Sequence, residues 1–252
     1  MIPLAFASAL LMALASCFAL TYPLMRPGKV RFAKFPVDFK KVMVVSDLHC
    51  RGHCPTFATL LRCAVKAGVD AIIVAGDLVN DGRRLSLEEA LRDLASAAPS
   101  GAPLVVYVTS RASHDPLIKG VKAVKLGPLR ILAVPVPARF SVGGLKVYVT
   151  HGDTVVRSGL VAFLLAYALL AIGIRMGFEK IARAKAAVSR SGWLVLGHTH
   201  IGGVEEEYRV ANTGGWRVEW GKGLKYWRKA TLTILLVDGR RVRMLFSQKE
   251  DR

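Results

Sequence analysis

Asp47 and His49, in the run Val42-Met43-Val44-Val45-Ser46-Asp47-Leu48-His49, place a carboxylate and an imidazole just beyond four apolar residues. An oxygen donor and a nitrogen donor on one face suit Zn²⁺, Mn²⁺ or Fe. Period-two alternation along an extended chain predicts that these two side chains point the same way. Taken singly, the pair is a capped strand end with a surface histidine. It does not stand singly. Gly76-Asp77, Ser113-His114-Asp115, His151-Gly152-Asp153 and Gly197-His198-Thr199-His200 follow apolar runs in the same manner, and five of the six histidines fall in these places. Histidines kept for packing have no reason to collect at the ends of successive strands. Ligand-binding groups do, because open α/β sheets bind at the carboxyl ends of their strands.

The elements that must carry these residues are legible in outline. After the strand at 42–45, Phe57 to Ala67 has helical spacing and stops at Gly68. Ala71 to Ala75 is a second strand, and Leu85 to Ala98 a second helix with Ser86 and Glu89 spaced as a capping box. Leu104 to Val108 is a third strand. Alternating strands and helices predict a largely parallel sheet. Val121 to Val134 and Leu145 to Thr150 read as consecutive strands, and Ser158 to Phe178 as an almost wholly apolar stretch. A basic helix is expected over Glu179 to Arg190, and a buried strand over Trp193 to Leu196. Asp238-Gly239 between two apolar runs signals a two-residue hairpin. The fold class expected is α/β, a two-sheet sandwich flanked by helices, with residues 42–252 as one domain and 158–190 as a helical insert.

The chain has 252 residues, 36 Lys+Arg against 18 Asp+Glu and a formal charge of +18. That length buries a substantial core, and that balance favours acidic partners such as phosphate esters, nucleic acid or anionic lipid. Four cysteines (Cys17, Cys50, Cys54, Cys63) are too few for a disulfide framework, so reduced, mostly buried thiols are expected. Cys50, His53 and Cys54 lack the second Cys/His pair that a zinc knuckle needs. Residues 2–25 carry no charge and are long enough for a membrane-spanning helix. No basic stretch precedes them, as a cleaved signal would require. Although Leu14-Ala15-Ser16-Cys17 resembles a lipoprotein cleavage box, the apolar run continues past it. Residues 26–41 read as a basic linker, whose positive charges place the main domain on the cytoplasmic side of an uncleaved anchor.

The order Asp-x-His, Gly-Asp, His-Asp, His-Gly, Gly-His-x-His resembles the calcineurin-like metallophosphoesterase superfamily over roughly residues 42–246. That resemblance implies a two-metal site at one edge of the sandwich. The first cation would be held by Asp47, His49, Asp77 and His200, and the second by Asp77, His151 and His198, with Asp77 bridging. It implies a phosphodiesterase or pyrophosphatase using a hydroxide held between two divalent ions, manganese foremost, with iron, zinc or nickel as alternatives. His114 would protonate the leaving oxygen and Asp115 would orient His114 or cap a helix. One motif departs from the family pattern: Ala112-Ser113 stand where a Gly-Asn pair normally precedes the His, the Asn binding the second metal, so weaker occupancy of that site is expected. His151-Gly152-Asp153-Thr154, the long insert before Gly197 and Asn212-Thr213-Gly214-Gly215-Trp216 further resemble the branch containing UDP-2,3-diacylglucosamine pyrophosphatase. That branch has Arg where His114 stands.

The apolar stretch 159–178 is either a buried core helix or a hairpin dipping into a membrane, with Arg175, Lys180, Arg183, Lys185 and Arg190 at the headgroups. The second reading puts the metal site at a membrane surface, facing a lipid-linked phosphate. The alternatives are a nuclease or nucleotide phosphodiesterase, or a catalytically degenerate membrane-bound scaffold. Trp216, Trp220, Tyr226 and Trp227 amid Arg217, Lys222, Lys225, Arg228 and Lys229 come closest to a nucleic-acid segment, and a twisted strand with snorkelling basic side chains explains them as well.

Overall fold

A computed structural model of the chain describes residues 29–96, 98–110, 114–217, 219–221, 224–225, 230–239 and 241–246. The expected anchor, Cys17, Ser113, Lys222 and the 226–229 stretch lie outside the described residues. In chain order the strands are β1 (Ala33–Phe39), β2 (Val42–Val45), β3 (Ala71–Ala75), β4 (Leu104–Val108) and β5 (Lys122–Leu126). Then come β6 (Leu129–Val134), β7 (Ala138–Val142), β8 (Leu145–Val149), β9 (Trp193–Leu196) and β10 (Gly203–Glu205). Last are β11 (Val210–Asn212), β12 (Glu219–Gly221), β13 (Leu224–Lys225), β14 (Thr233–Val237) and β15 (Val242–Phe246). The helices are α1 (Pro55–Ala67), α2 (Leu87–Ala95), α3 (Gly159–Ala171) and α4 (Gly177–Lys185).

Two sheets carry the molecule. One is ordered β15-β14-β2-β3-β4-β6-β5, with β2, β3, β4 and β6 parallel. The other is ordered β1-β7-β8-β9-β11-β10, and β12 with β13 forms a small hairpin apart. Strand alternation divides β2 between two cores. Val42 and Val44 pack with Ile73, Val106, Phe140, Val147 and Leu235 between the sheets. Met43 and Val45 face the other way, toward Phe57, Leu61 and Leu91 of α1 and α2. Because β2 and β3 are covered on both faces, all their residues are buried and their sequences are apolar throughout. A third cluster, with Leu194, Leu196, Leu165 and Phe178, lies where α3 and α4 cover the second sheet.

Local chemistry sets the helix ends. Pro55 opens α1, and Gly68 closes it in the left-handed conformation at φ 60°. Ser86 Oγ accepts the Glu89 amide at 3.2 Å while Glu89 Oε2 accepts the Ser86 amide at 2.8 Å, the capping box read from spacing. The hairpin at Asp238-Gly239 joins β14 to β15 in full register.

Four expectations are corrected. The stretch 26–41 is not all linker, since β1 adds to the edge of the second sheet beside β7. The single strand expected over 121–134 turns at Gly127 and becomes the β5–β6 hairpin. Strand β7 supplies a partner to β8 that the pattern did not separate. Cys50 and Cys54 are joined in a disulfide, their Cα atoms 5.4 Å apart and so within bonding reach, and Cys63 is exposed rather than buried. Among the described residues no helix is long and apolar enough to cross a membrane. At about 1.5 Å per residue, α3 spans about 20 Å, short of the roughly 30 Å hydrocarbon layer.

Candidate metal centre

Loops leaving β2, β3, β8 and β9 converge at one edge of the sandwich. Asp47 and His49 follow β2, Asp77 follows β3, His151 follows β8, and His198 and His200 follow β9. Backbone bonds stitch the loops together: the Asp47 amide donates to the Gly76 carbonyl at 3.2 Å and the His49 amide to the Asp77 carbonyl at 2.9 Å. Asp47 and His49 point the same way, as the sequence predicts, but not through the strand alternation expected of them. Asp47, His49, Asp77, His198 and His200 all have left-handed backbones, with φ between 50° and 73°. Each such residue costs on the order of 1 kcal/mol, and Asp and His adopt the conformation more readily than most. Left-handed turns at strand ends, rather than extended chain, aim these groups inward.

Asp47 Oδ2 accepts the His198 amide at 2.9 Å and the Ser46 hydroxyl. Gly197 leaves room for this, because a Cβ there would collide with Ser46 Oγ and Asp47 Oδ2. Asp47 Oδ1 remains directed at the imidazoles, 3.2 Å from His200 Nε2 and 4.0 Å from His49 Nε2. Asp77 Oδ2 lies between the two groups of imidazoles, 3.7 Å from His49 Nε2 and 3.6 Å from His151 Nε2. Donor atoms gather in three overlapping sets: Asp47, His49 and His200; His49, Asp77 and His114; and Asp47, Asp77 and His151.

Hydrogen bonding fixes which ring nitrogens face inward. A carbonyl only accepts, so His151 Nδ1–H donates to Ala75 at 3.0 Å and His198 Nε2–H to Val156 at 2.8 Å. The remaining nitrogens, His151 Nε2 and His198 Nδ1, face each other at 3.0 Å. Two lone pairs at that separation repel unless a proton or cation lies between them. Burial depresses His151, but Asp77 and Asp47 outweigh it and raise its pKa to about 9. Burial and the charged His151 push His198 down to about 4. Burial would raise both carboxyls, yet neighbouring imidazoles hold Asp77 down to about 2, and Asp47 far below the usual carboxylate range. His49 is driven down to about 4, chiefly by burial, and both its ring nitrogens are buried without a hydrogen bond. Ionised carboxylates, converging imidazole nitrogens and the unbonded Asp47 Oδ1 and His49 ring nitrogens around one buried point fit divalent cations, with His49, Asp47 and His200 on one side and His151 and His198 on the other.

His114 stands beside this cluster. Its Nδ1–H donates to the Asn80 carbonyl at 2.6 Å, and its ring meets His49 edge-on at 4.9 Å. Asp115 does not orient it and caps no helix. Fully buried, Asp115 accepts the Asp77 amide at 2.9 Å, the Ser110 amide at 2.7 Å and the Tyr107 hydroxyl. Its task is to hold the Asp77 loop, and burial with the charge of Asp77 raises it to about 7.

Asn212, given no ligand role from sequence, braces the histidine loop. Its Nδ2 reaches the Gly197 carbonyl at 2.9 Å, Thr199 Oγ1 at 3.0 Å and Glu179 Oε1 at 2.7 Å. Asn80, Ser110, Tyr107 and Glu179 carried no sequence signal either, since their parts depend on partners far along the chain.

The family model of calcineurin-like phosphoesterases matches residues 40–202. The chain belongs to that family. It is therefore a metallophosphoesterase, a hydrolase acting on phosphoester bonds. No curated protein matches the chain. Among solved structures, this phosphoesterase is similar to Yfce, a phosphoesterase from E. coli, at 19% identity over 79% of this chain and 88% of that one, with a TM-score of 0.36. A predicted phosphoesterase from Streptococcus pneumoniae shares 15% identity over 82% and 87%, with a TM-score of 0.38. An archaeal phosphodiesterase shares 14% over 81% and 98%, with a TM-score of 0.37.

Proposed function

We propose that this metallophosphoesterase cleaves phosphodiesters or pyrophosphates at a membrane surface, on a lipid-linked phosphate, with manganese as the metal. The observation that carries the hydrolytic part is the buried convergence of Asp47, His49 and His200 with Asp77 and His151, Asp47 Oδ1 lying 3.2 Å from His200 Nε2 and Asp77 Oδ2 3.6 Å from His151 Nε2. When bound, two divalent cations clamp a phosphoryl group and lower the pKa of water toward neutrality. The chain's own residues do the rest. Asp47 and Asp77 stay ionised and balance the positive charge, while the imidazoles, which add no negative charge, keep the site attractive to an anion. Asn80 holds the His114 ring so that Nε2 faces the cluster, where it donates a proton to the departing oxygen.

Support for the membrane comes from α3. Leu160, Leu164, Tyr167 and Leu170 are exposed on it, and Ile172 and Ile174 are exposed just beyond. The opposite face, Ala162, Leu165 and Ala166, is buried, so this is a half-core, half-open apolar helix. Lys180 and Arg183 lie on the adjoining α4. With the uncharged segment 2–25 and the basic residues after it, the domain would sit on the cytoplasmic face. The branch containing UDP-2,3-diacylglucosamine pyrophosphatase belongs to this proposal too.

A panel of bis(4-nitrophenyl) phosphate, a pyrophosphate diester, a phosphomonoester and a lipid pyrophosphate in vesicles tests it. Turnover of the diester or pyrophosphates with preference for the vesicle substrate is expected. Activity on the monoester alone, or indifference to vesicles, contradicts it.

A further inference from the structure

His49 lacks the brace that neighbouring imidazoles have. One ring nitrogen of each neighbour is tied to a carbonyl: His151 Nδ1 to Ala75, His198 Nε2 to Val156 and His114 Nδ1 to Asn80. A metal-binding histidine is ordinarily oriented in this way, through the nitrogen that does not face the metal. His49 Nε2 faces Asp77 and Asp47, but its Nδ1 is buried and has no hydrogen-bond partner among the described residues. The direction of this ring is therefore set by the backbone that carries it.

On one side that backbone leans on the Asp77 loop. The Cys50 amide donates to the Leu78 carbonyl at 2.8 Å, and the Asn80 amide to the Cys50 carbonyl at 2.9 Å. On the other side the chain runs at once into Arg51, Gly52 and His53, all exposed, before α1 begins at Pro55. One covalent tie spans this turn, the Cys50–Cys54 disulfide. Cys54 is the cap of α1, its carbonyl accepting the Ala58 amide at 3.1 Å, and α1 is seated in the core by Phe57, Leu60 and Leu61. The bridge thus fastens the residue after His49 to a buried helix. It is also within reach from outside. Cavities of about 140 Å³ and 210 Å³ both have Cys50 in their walls, and the larger has Cys54 as well. Cys63 lies about 14 Å further along the axis of α1, too far to exchange with Cys54, so opening the bridge takes an external reductant.

Resting on the metal-centre reading, we propose that the Cys50–Cys54 disulfide positions His49, and that a dithiol reductant which opens it weakens metal binding on the side formed by Asp47, His49 and His200. One thiolate of the dithiol attacks a bridge sulfur, the protein S–S bond breaks, and the freed cysteine sulfur takes a proton. The second thiolate then displaces the other cysteine sulfur, which takes a proton in turn, and the reductant departs as a disulfide. Two electrons have passed to the protein. His49 is left with no tie to α1 and no ring hydrogen bond, while His151 and His198 keep their carbonyls. The loss therefore falls on one side of the centre. Partners that orient a metal-bound imidazole are worth about 10–100-fold in affinity, which sets the size of the effect. In a reducing compartment such a bridge is a redox-sensing one rather than a permanent staple.

The test is calorimetric titration of Mn²⁺ into the metal-free full chain, oxidised, reduced with dithiothreitol that is then removed, and re-oxidised with glutathione disulfide. His198→Ala isolates the His49 side and His200→Ala the other, and Cys50→Ser/Cys54→Ser holds the bridge open without thiols that could bind metal themselves. Reduction is expected to weaken Mn²⁺ at least tenfold in the parent and in His198→Ala and to leave His200→Ala unchanged. The serine pair should match the reduced parent, and re-oxidation should restore the parent but not the serine pair. Peptide mapping without reductant should find Cys50 linked to Cys54. Free thiols at both positions, equal affinity before and after reduction, or an equal loss in the two single-side variants overturns the proposal, the last because it marks general loosening. Absence of Mn²⁺ binding in every form removes the metal centre and the proposal with it, whereas tight binding indifferent to reduction removes the proposal alone.

Discussion

With Nδ1–H committed to the Asn80 carbonyl, His114 exchanges protons only through Nε2. His114→Ala is therefore expected to depress kcat by about 10²–10⁴-fold for esters with alkoxide leaving groups. It should cost far less with 4-nitrophenolate, which departs without a proton, and equal losses on both would make His114 a binding group instead. Asp115→Asn carries a different expectation. Three donors converge on that carboxylate, and an amide turns an N–H toward at least one of them. A loss of about 1–3 kcal/mol in denaturant unfolding of the metal-free protein follows. An unchanged midpoint would show that Asp115 does not hold the Asp77 loop. The ligand candidates were legible because residue type and position after an apolar run suffice to mark them. Why they face one point was not legible: left-handed φ at Asp47, His49 and Asp77 is set by cross-loop hydrogen bonds that no local pattern encodes. Asp115 misled for the same reason, since adjacency to His114 in sequence says nothing of the buried amides it serves.

At the scale of elements, Glu179 links α4 to the histidine loop through Asn212. Burial raises its carboxyl from 4.5 to about 7 in the folded state. The folded protein thus holds this proton more tightly than the unfolded chain. The resulting stability is fully present below pH 4.5 and is lost as pH climbs through about 7, a change on the order of 3 kcal/mol. Glu179→Gln should consequently flatten the dependence, with the melting temperature of the variant overtaking that of the parent between pH 5 and pH 8. Parallel melting curves across that range would refute it. The strands of the first sheet were readable because burial on both faces makes them uniformly apolar. β1 was not, since an edge strand with Lys34, Pro36 and Asp38 exposed looks like a linker, and edge positions tolerate proline. The β5–β6 hairpin hid inside one apolar run, and the disulfide at Cys50–Cys54 has too short a spacing to stand out from a helix start.

For the molecule as a whole, the two-sheet sandwich brings together groups more than a hundred residues apart in sequence, and the exposed face of α3 lies on its flank. Replacing Leu164, Tyr167 and Leu170 with Ser is expected to reduce co-sedimentation with anionic vesicles several-fold while leaving turnover of bis(4-nitrophenyl) phosphate intact. Undiminished sedimentation would assign that face another role. The central claim, that the Asp47–His200 constellation is a divalent-metal hydrolytic centre, meets its most direct test in one titration. Mn²⁺ is returned to chelator-treated protein and to Asp77→Asn while bis(4-nitrophenyl) phosphate turnover is followed. Turnover should be absent without metal, rise to saturation in the parent and stay flat in the variant. A rate indifferent to chelation, or one that Asp77→Asn recovers in full, would contradict the account.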